Sequence, residues 1–458
     1  NRATAGILTP SKRLSRGSIS RKLTISEREI MQISKKLKVA AAFAVASLVF
    51  AGCSDSASEE STETAQEATV EKGTGPLKIG SLLPETGSLA FLGPPEFAGV
   101  DLAVADINAA GGVLEQPMEH IRGDSGDTST DIAQQTADSH IAAGVGAIVG
   151  AASSGVSLQF IDRVIAECVI HFSPANTSAA FTDYEDKGLY FRTAPSAVLQ
   201  GRVLGNLIVG DGASNVAFLT LQDPYGTGLF ENAKIAVEAA GGTVVANEEF
   251  APGTKNFSSQ IDKVLAAKPD AIAVISFDEV KSILPELVKV KGWDPTKLYL
   301  VDGNTGNFDA DFTDFNIAGA QGTIPGVIAS DDFKTRLAAA NPDLTVWAYA
   351  AESYDATMLV ALAAATAAKA GEDVTGANIS KYMAAVSSGG EKVDFSQPGA
   401  FKKAMDLINA GTDIDFEGVS GPISFDANGD PTEAYVGIYL YDDKNINTGV
   451  DVEYGKLD

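Results

Sequence analysis

The sequence predicts an α/β protein with two similar lobes, each built on a parallel β-sheet. From residue 77 to residue 302, short apolar segments alternate with longer stretches that carry apolar side chains at helical spacing. Segments such as GAIVG (146–150) and AIAVIS (271–276) are almost wholly apolar, which is typical of strands buried on both faces of a parallel sheet. The chain after residue 75 is also longer than one hydrophobic core usually allows, so two lobes are expected.

The first block of this alternation contains strands and helices in strict succession. Strands are predicted at residues 77–83, 118–122, 146–150 and 168–173. Helices are predicted at residues 95–110, 127–143 and 155–167. The pair Gly111-Gly112 ends the first helix, because glycine readily adopts the left-handed conformation that follows helix ends.

A second block repeats the pattern after Pro195, which predicts the second lobe. Its helices are predicted at residues 197–209, 227–240, 257–267 and 279–290. Its strands are predicted at residues 215–221, 243–250, 270–276 and 297–302.

The pattern changes after about residue 330. An Ala-rich helix is predicted for residues 348–370 and a second helix for residues 376–387. We expect the segment 330–410 to return to the first lobe. Asn428-Gly429 predicts a hairpin turn between strand-like segments, and this final hairpin could pack at the edge of the second lobe.

The N-terminal part predicts export from the cytoplasm. Residues 31–38 are basic and residues 39–50 (VAAAFAVASLVF) are apolar without interruption, which is typical of a secretory signal. Spanning a bilayer requires ~20 apolar residues, so this segment is too short for a membrane helix. The following Ala-Gly-Cys resembles the lipobox of bacterial lipoproteins, and we expect cleavage before Cys53 and lipidation of its thiol. An ordinary signal peptide with an unmodified Cys53 is the alternative.

We therefore assign residues 1–52 to an upstream extension and signal peptide. Residues 1–30 are basic and lack apolar periodicity, so they are excluded from the predicted fold; a basic arm for nucleic acid is the alternative. Residues 53–75 are acidic, rich in Ser and Thr, and lack aromatic side chains, which predicts a flexible tether.

Charge and motif content exclude several functions. The formal net charge is −26. Residues 1–52 carry more basic than acidic side chains, so their removal with the signal would leave the remaining chain still more acidic. Such a surface disfavours nucleic acid and anionic headgroups. No P-loop motif is present, and no dinucleotide fingerprint follows the first strand, so no cofactor is expected. The three histidines are scattered and the Asp-rich loops lack full calcium-loop spacing, so no metal is expected.

Six segments, in order along the chain, resemble the branched-chain amino-acid binding proteins of bacterial ABC importers. They are LPETGSLAFLGPPEFAGVDLAVADINAAGGV (83–113), FSPANTSAAFT (172–182), YFRTAPS (190–196), QDPYGTGL (222–229), TKNFSSQIDKV (254–264) and GVSGPISFDANGD (418–430). The resemblance implies a type I periplasmic-binding fold, with two Rossmann-like lobes, a three-crossing hinge and a ligand in the cleft between the lobes.

The resemblance also implies lobe boundaries. The hinge crossings would lie at residues 191–196, 323–327 and 420–424. Lobe 1 would then comprise residues 76–195 and 324–420, and lobe 2 residues 196–323 and 421–458.

Two loops of the first lobe are the main candidates for ligand binding. Ser153 and Ser154 follow a predicted strand and open a helix, where free backbone N–H groups attract an anion such as a carboxylate. A plain N-cap is the alternative. The next strand is followed by Ala175, Asn176 and Thr177. The resemblance implies that the Ala175 carbonyl accepts the ligand ammonium and that Thr177 binds both ends of an amino acid, whereas a simple capped turn is the alternative.

Further candidates come from the second lobe and from the cleft walls. Asp302 ends a predicted strand, and the resemblance implies that it pairs with the ligand ammonium. Apolar wall positions are predicted for Phe277, Tyr225, Phe91 and Leu92.

The sequence thus predicts a lipid-anchored, extracytoplasmic, non-enzymatic receptor that delivers an amino acid to an ABC permease. It would be a monomer, bound to the membrane only through its lipid. Amides, urea and aromatic acids are alternative ligands, and a sensory receptor is an alternative role. A remote alternative is a serine hydrolase, because Ala-Ala-Ser-Ser-Gly (151–155) is one substitution from a nucleophile elbow.

Overall fold

The computed structural model describes residues 76–457. The predicted signal peptide, the predicted lipidation site at Cys53 and the predicted tether of residues 53–75 lie outside the described residues. Within residues 76–457, no helix is both long and apolar enough to cross a membrane.

A five-stranded parallel sheet organises the first half of the described chain. Its strands are β1 (Lys78–Leu83), β2 (Glu119–Asp124), β3 (Ala147–Gly150), β4 (Ile170–Ser173) and β5 (Tyr190–Arg192). They are ordered 2-1-3-4-5. The helices between them are α1 (Gly93–Ala109), α2 (Ile132–Ala142) and α3 (Ser154–Ala166). This order makes the β1–β3 boundary a topological switch point, where α/β folds bind ligands beyond the carboxyl ends of the strands.

The second large sheet has seven strands. Its strands are β6 (Asn215–Leu221), β7 (Thr243–Phe250), β8 (Ala271–Ile275), β9 (Leu298–Val301), β10 (Gln321–Pro325), β14 (Glu433–Tyr441) and β15 (Asn447–Lys456). The order is 15-14-10-9-8-6-7, and only β14 and β15 pair antiparallel to their neighbours. Its helices are α4 (Ala197–Gly210), α5 (Pro224–Ala239), α6 (Ser258–Ala266) and α7 (Val280–Leu284), and α7 continues as a π-helix (Pro285–Val290).

The remaining elements pack against the first sheet. They are α8 (Asp331–Ala340), α9 (Ala350–Lys369), α10 (Gly376–Ser387), α11 (Ala400–Ala410) and a small sheet of β11 (Glu391–Asp394), β12 (Ile414–Gly418) and β13 (Gly421–Pro422). Helix α9 is buried along nearly its whole length, which explains its Ala-rich sequence: small side chains let α1 and α10 approach it closely. Its apolar residues share one hydrophobic core with β1, β3 and β4.

Three segments of the chain pass between the two large sheets. The first links β5 to α4, the second links β10 to α8, and the third links β13 to β14. The lobe boundaries derived from the sequence remain a prediction, because sheet membership locates each passage only to within a few residues.

The turn predicted around Asn428 is present, but it does not join two long paired strands. Residues 426–430 do form a tight turn, in which Asp426 accepts hydrogen bonds from the backbone N–H groups of Asn428 and Asp430. However, only an isolated bridge, between Phe425 and Pro431, flanks it. The long final hairpin is β14–β15, closed by a turn over residues 442–446. Asn428 and Gly429 form a turn, as residues of these types usually do, but a turn motif does not determine how many residues pair on either side of it.

The predicted helix at 127–143 starts later than expected. Asp127 accepts hydrogen bonds from the backbone N–H and the hydroxyl of Ser129, which holds a loop instead of a helical turn. Helix α2 therefore begins at Ile132. Short Asp and Ser side chains compete with helical hydrogen bonding in this way at many helix starts.

A buried ion pair joins the first and third passages. The Arg192 side chain is fully buried, and its Nε and Nη2 donate to the two carboxylate oxygens of Asp430, each at 2.6 Å. Arg192 Nη1 also donates to the backbone carbonyls of Asn176 and Ser178. The carbonyl of Gly429 accepts from the Arg192 backbone N–H, and Gly429 has a φ of 76°, so glycine suits this position.

We expect Asp430→Asn to destabilise the protein by about 3–5 kcal/mol, because it leaves the buried Arg192 charge without its carboxylate. Urea unfolding monitored by circular dichroism measures this. Asp406→Asn is the matched control, because Asp406 pairs with Lys402 on an exposed helix face and should cost less than ~1 kcal/mol. Equal losses in the two variants would contradict the structural role of Arg192.

Candidate functional site

A small cavity lies where loops from the two large sheets meet. Its volume is about 10 Å³, which is room for about one water molecule. The residues that line it come from both halves of the chain: Leu89, Leu92, Ala152, Ser153, Ser154, Ala175, Tyr225, Phe277, Asp302, Gly303 and Tyr349. All of these side chains are buried, so the cleft is closed around the cavity.

Ser153 and Ser154 stand at the start of α3, as the sequence predicted. The Ser153 hydroxyl accepts from the backbone N–H of Val156 at 3.3 Å and so caps the helix. The Ser154 hydroxyl accepts from the backbone N–H of Ser178, which ties the two candidate loops together. Both hydroxyl protons can still be donated, and the helix N-terminus faces the cavity with its positive end.

The loop after β4 is held rigidly by side chains. Ser173 Oγ donates to the Ala151 carbonyl and accepts from the backbone N–H of Asn176. Asn176 Nδ2 donates to the carbonyls of Ala151 and Ala152, and its Oδ1 accepts from Tyr190. The Asn176 side chain therefore fastens the loops and does not border the cavity, so its predicted ligand contact remains a prediction.

Thr177 carries an unpaired buried hydroxyl. The side chain is fully buried, and its Oγ1 has no hydrogen-bond partner among the described residues. An unpaired buried hydroxyl costs about 1–3 kcal/mol, so its presence calls for an explanation. Thr177 follows Ala175, which lines the cavity, so a bound molecule could supply the missing partner.

Asp302 is the acidic group of the cavity. It follows β9 and is 4% exposed. Its Oδ1 accepts from Gln200 at 2.6 Å and from the Tyr225 hydroxyl at 2.7 Å. Its Oδ2 accepts from the Tyr349 hydroxyl at 2.7 Å. Burial raises the pKa of Asp302, while these three neutral donors act in the opposite direction.

Aromatic side chains form one wall of the cavity. Phe277 stacks on Tyr225 with ring centroids 5.3 Å apart. Leu92 is buried and faces the cavity, whereas the half-buried Phe91 borders a separate groove at the mouth of the cleft. Phe277 borders both spaces.

Tyr349 and Gln200 were not identified from the sequence. Tyr349 precedes α9, whose core belongs to the first sheet, yet its hydroxyl reaches Asp302 beside the second sheet. Its φ of 59° is unusual for a tyrosine, and such outliers often occur at functional sites. No local motif marks either residue, because each reaches the site only through tertiary packing.

The hydrolase alternative gains no support from the cavity. Its lining, as far as the described residues show, contains no histidine that could act as a base. His171 instead packs between Phe160 and Tyr190, with ring centroids 4.7 and 5.1 Å away. Burial lowers the pKa of His171 to about 3, so it is neutral at physiological pH.

Comparison with solved structures finds the same fold in other proteins. A leucine-binding protein from Thermotoga maritima superposes with a TM-score of 0.66 at 20% identity, covering 82% of this chain and 98% of that one. A branched-chain amino-acid substrate-binding protein from Streptococcus pneumoniae, in complex with isoleucine, gives 0.66 at 24% identity, with coverages of 84% and 100%. A solute-binding protein from R. palustris in complex with benzoate gives 0.65 at 17% identity. At these identities the likeness shows the fold, and it confirms the predicted α/β class.

Sequence comparison identifies the family. A chemotactic signal-transduction substrate-binding protein from Halobacterium salinarum is 27% identical over 388 residues, or 81% of this chain and 89% of that protein. A Leu/Ile/Val-binding protein from Rhizobium johnstonii is 28% identical over 200 residues, covering 43% of this chain and 53% of that protein. The family model described as periplasmic binding protein matches residues 76–436. The chain therefore belongs to the periplasmic binding protein family and has the type I fold of the Leu/Ile/Val-binding proteins.

Proposed function

We propose that this protein is an extracytoplasmic receptor that binds an amino acid, branched-chain or related, and delivers it to an ABC importer. The observation that carries the proposal is the setting of Asp302. It is the one acidic residue among the described residues that line the cavity, and only neutral donors contact it. A buried carboxylate with an uncompensated negative charge is a suitable partner for an α-ammonium group.

The other walls suit the remaining parts of an amino acid. The N-terminus of α3, with Ser153 and Ser154, offers donors to a carboxylate. The apolar side chains of Leu89, Leu92 and Phe277 offer a dry surface to an aliphatic side chain. An amino acid needs more room than the closed cavity offers, so its binding requires the two sides of the cleft to move apart.

Cleft closure would supply the transport signal. Tyr225, Phe277 and Asp302 belong to the side of the second sheet, and Ser153, Ser154 and Ala175 to the side of the first. A ligand that contacts both sides stabilises the closed form by the contacts that it makes only there. The closed surface would then dock on a permease. Anchoring through lipidated Cys53 and a monomeric state are part of this proposal.

A sensory role is the second candidate function. It is favoured by the similarity to the Halobacterium salinarum protein, which is named as a substrate-binding protein of a chemotactic signal-transduction system. In that case a signalling protein, rather than a permease, would recognise the closed form. Ligand chemistry would be the same in both roles.

Aromatic acids are the alternative ligand class, as in the R. palustris protein that binds benzoate. Such ligands lack an ammonium group, so a charged Asp302 would oppose them. Amides and urea would need hydrogen bonds but no counter-charge. The two classes therefore differ from amino acids in their dependence on Asp302.

A thermal-shift panel tests the proposed function. We expect leucine, isoleucine or valine at a hundred times its dissociation constant to stabilise the protein by ~2.7 kcal/mol, which raises the melting temperature by several degrees. Acetamide, urea and benzoate should produce no shift. A shift with benzoate alone would favour the aromatic-acid alternative, and no shift with any compound would contradict the proposal.

Asp302→Asn should weaken amino-acid binding by about a hundredfold or more, because it removes the counter-charge of a buried ammonium group. Isothermal titration calorimetry with the amino acid selected by the panel measures the change. Asp413→Asn, on an exposed loop, is the control and should bind normally. Unchanged affinity in Asp302→Asn would show that this carboxylate is not the ammonium partner.

Thr177→Val should separate affinity from stability. The unliganded variant should be at least as stable as the wild type, because an unpaired buried hydroxyl is replaced by a methyl group of similar size. Ligand affinity should fall by about tenfold through the loss of one hydrogen bond. Thr177→Ser, which keeps the hydroxyl, should bind almost normally. Equal affinity in all three proteins would exclude Thr177 as a ligand contact.

A further inference from the structure

Three buried carboxyl groups lie on two helices that pack against each other. Glu96 is on α1, and Glu352 and Asp355 are on α9. All three side chains are at least 96% buried, and neither carboxylate oxygen of Glu96 has a hydrogen-bond partner among the described residues. None of them borders the ligand cavity, so the proposed amino-acid site does not account for them.

Glu352 contacts two of the three passages. A methyl group added at Gly326, directly after β10, would lie 1.9 Å from the Glu352 carboxylate oxygen Oε1. Gly326 also has a φ of 97°, a conformation that other residues rarely adopt. The backbone carbonyl of Glu352 accepts a hydrogen bond from Thr193 Oγ1, in the first passage, at 3.1 Å. Any rotation about these passages therefore changes the surroundings of Glu352.

Asp355, one turn further along α9, lies beside the turn between β12 and β13, just before the third passage begins. Its carboxylate accepts hydrogen bonds from the backbone N–H groups of Val419 and Ser420 and from the Ser420 hydroxyl. Burial raises the pKa of Asp355 to about 7, and these three bonds act in the opposite direction. No comparable set of donors surrounds the Glu352 carboxylate among the described residues, so of the two carboxyl groups on α9 it is the one whose charge the closed form accommodates less well.

The charges around Glu352 are mostly of its own sign. Glu96 faces it from α1, while Asp355 and Tyr349 are its titratable neighbours on and beside α9. Lys334 of α8 is the one cation among the described residues that line the same groove, whose volume is about 330 Å³. The other elements packed on α9, within residues 76–457, contribute no charge that shifts its pKa.

Burial is the main cause that raises the pKa of Glu352, to about 8, and Asp355 adds to this effect. Burial and Glu352 together hold the pKa of Glu96 well above its usual value. Because Glu352 borders a groove that is continuous with solvent, it can exchange protons with water, and opening of the hinge would hydrate it further.

We propose that closing of the cleft is coupled to protonation of Glu352, which makes the hinge a pH-sensitive switch. This inference depends on the domain closure proposed above, but not on the identity of the ligand. Proton uptake would strengthen ligand capture in acid and promote release as the pH rises.

Proton linkage determines whether the closed form gains or loses stability as the pH rises. The closed form holds Glu352 protonated, whereas in the hydrated open form an ordinary glutamate ionises near ~4.3. The closed form is therefore most favoured below that ordinary pKa. It loses stability as the pH rises through the range up to about 8, by at most about tenfold in the closed-to-open ratio per pH unit. Above that range the ratio should be constant.

Small-angle X-ray scattering of the full chain without ligand, from pH 5.5 to 8.5, tests this coupling. The wild type should show a larger radius of gyration at pH 8.5 than at pH 5.5. Glu352→Gln, a neutral mimic of the protonated side chain, should stay compact throughout. If that variant does not fold, Glu352→Met removes the same titration with an apolar side chain of similar length.

Asp223→Asn is the matched control. Asp223 is another buried carboxyl group and lies at the mouth of the cleft. Burial raises its pKa to about 6. This variant should retain the wild-type change between pH 6.5 and 8. The proposal is overturned if Glu352→Gln expands like the wild type, if Asp223→Asn alone abolishes the change, or if the wild type keeps one radius throughout.

Discussion

The buried pair between Arg192 and Asp430 is the interaction on which the binding loops depend. Arg192 ends β5, and Asp430 lies just before β14, so the pair joins two of the three passages between the sheets. The same guanidinium holds the backbone carbonyls of Asn176 and Ser178. One cation therefore fixes both the relative path of two hinge segments and the shape of a loop that lines the cavity. A planar group with five donors suits this task, whereas lysine could not reach the same partners.

A rigid frame of this kind explains why the candidate site needs few residues of its own. Ser173 and Asn176 bind loop carbonyls, and Ser153 caps α3, so the loops are ordered before any ligand arrives. Preorganised donors lose little entropy on binding. Among the described residues, the Thr177 hydroxyl has no hydrogen-bond partner and the Asp302 carboxyl group has only neutral donors around it. Both groups are therefore available to a ligand.

The hinge combines this rigidity with one adjustable group. Helix α9 belongs to the first core, yet it contacts the first two passages at Thr193 and Gly326, and at Ser420 the turn that precedes the third. At its start, Tyr349 reaches across to Asp302. The same helix thus contacts both the ligand side and the hinge side of the cleft. In the proposed mechanism, closure of the cleft removes water from the Glu352 carboxyl group and so favours its protonated form.

The sequence by itself determined the α/β class, the family and most of the strands, because continuous apolar segments and helical periodicity are local consequences of burial. It also predicted Ser153, Ala175 and Asp302 as ligand contacts, and this stays a prediction; the structure shows that each follows a strand of a parallel sheet and lines the cavity. Only the tertiary structure revealed Tyr349, Gln200 and the Arg192–Asp430 pair. Each of these residues contacts a partner that is distant in sequence. A local pattern of polar and apolar residues does not predict such contacts, because they form only when the two cores pack together.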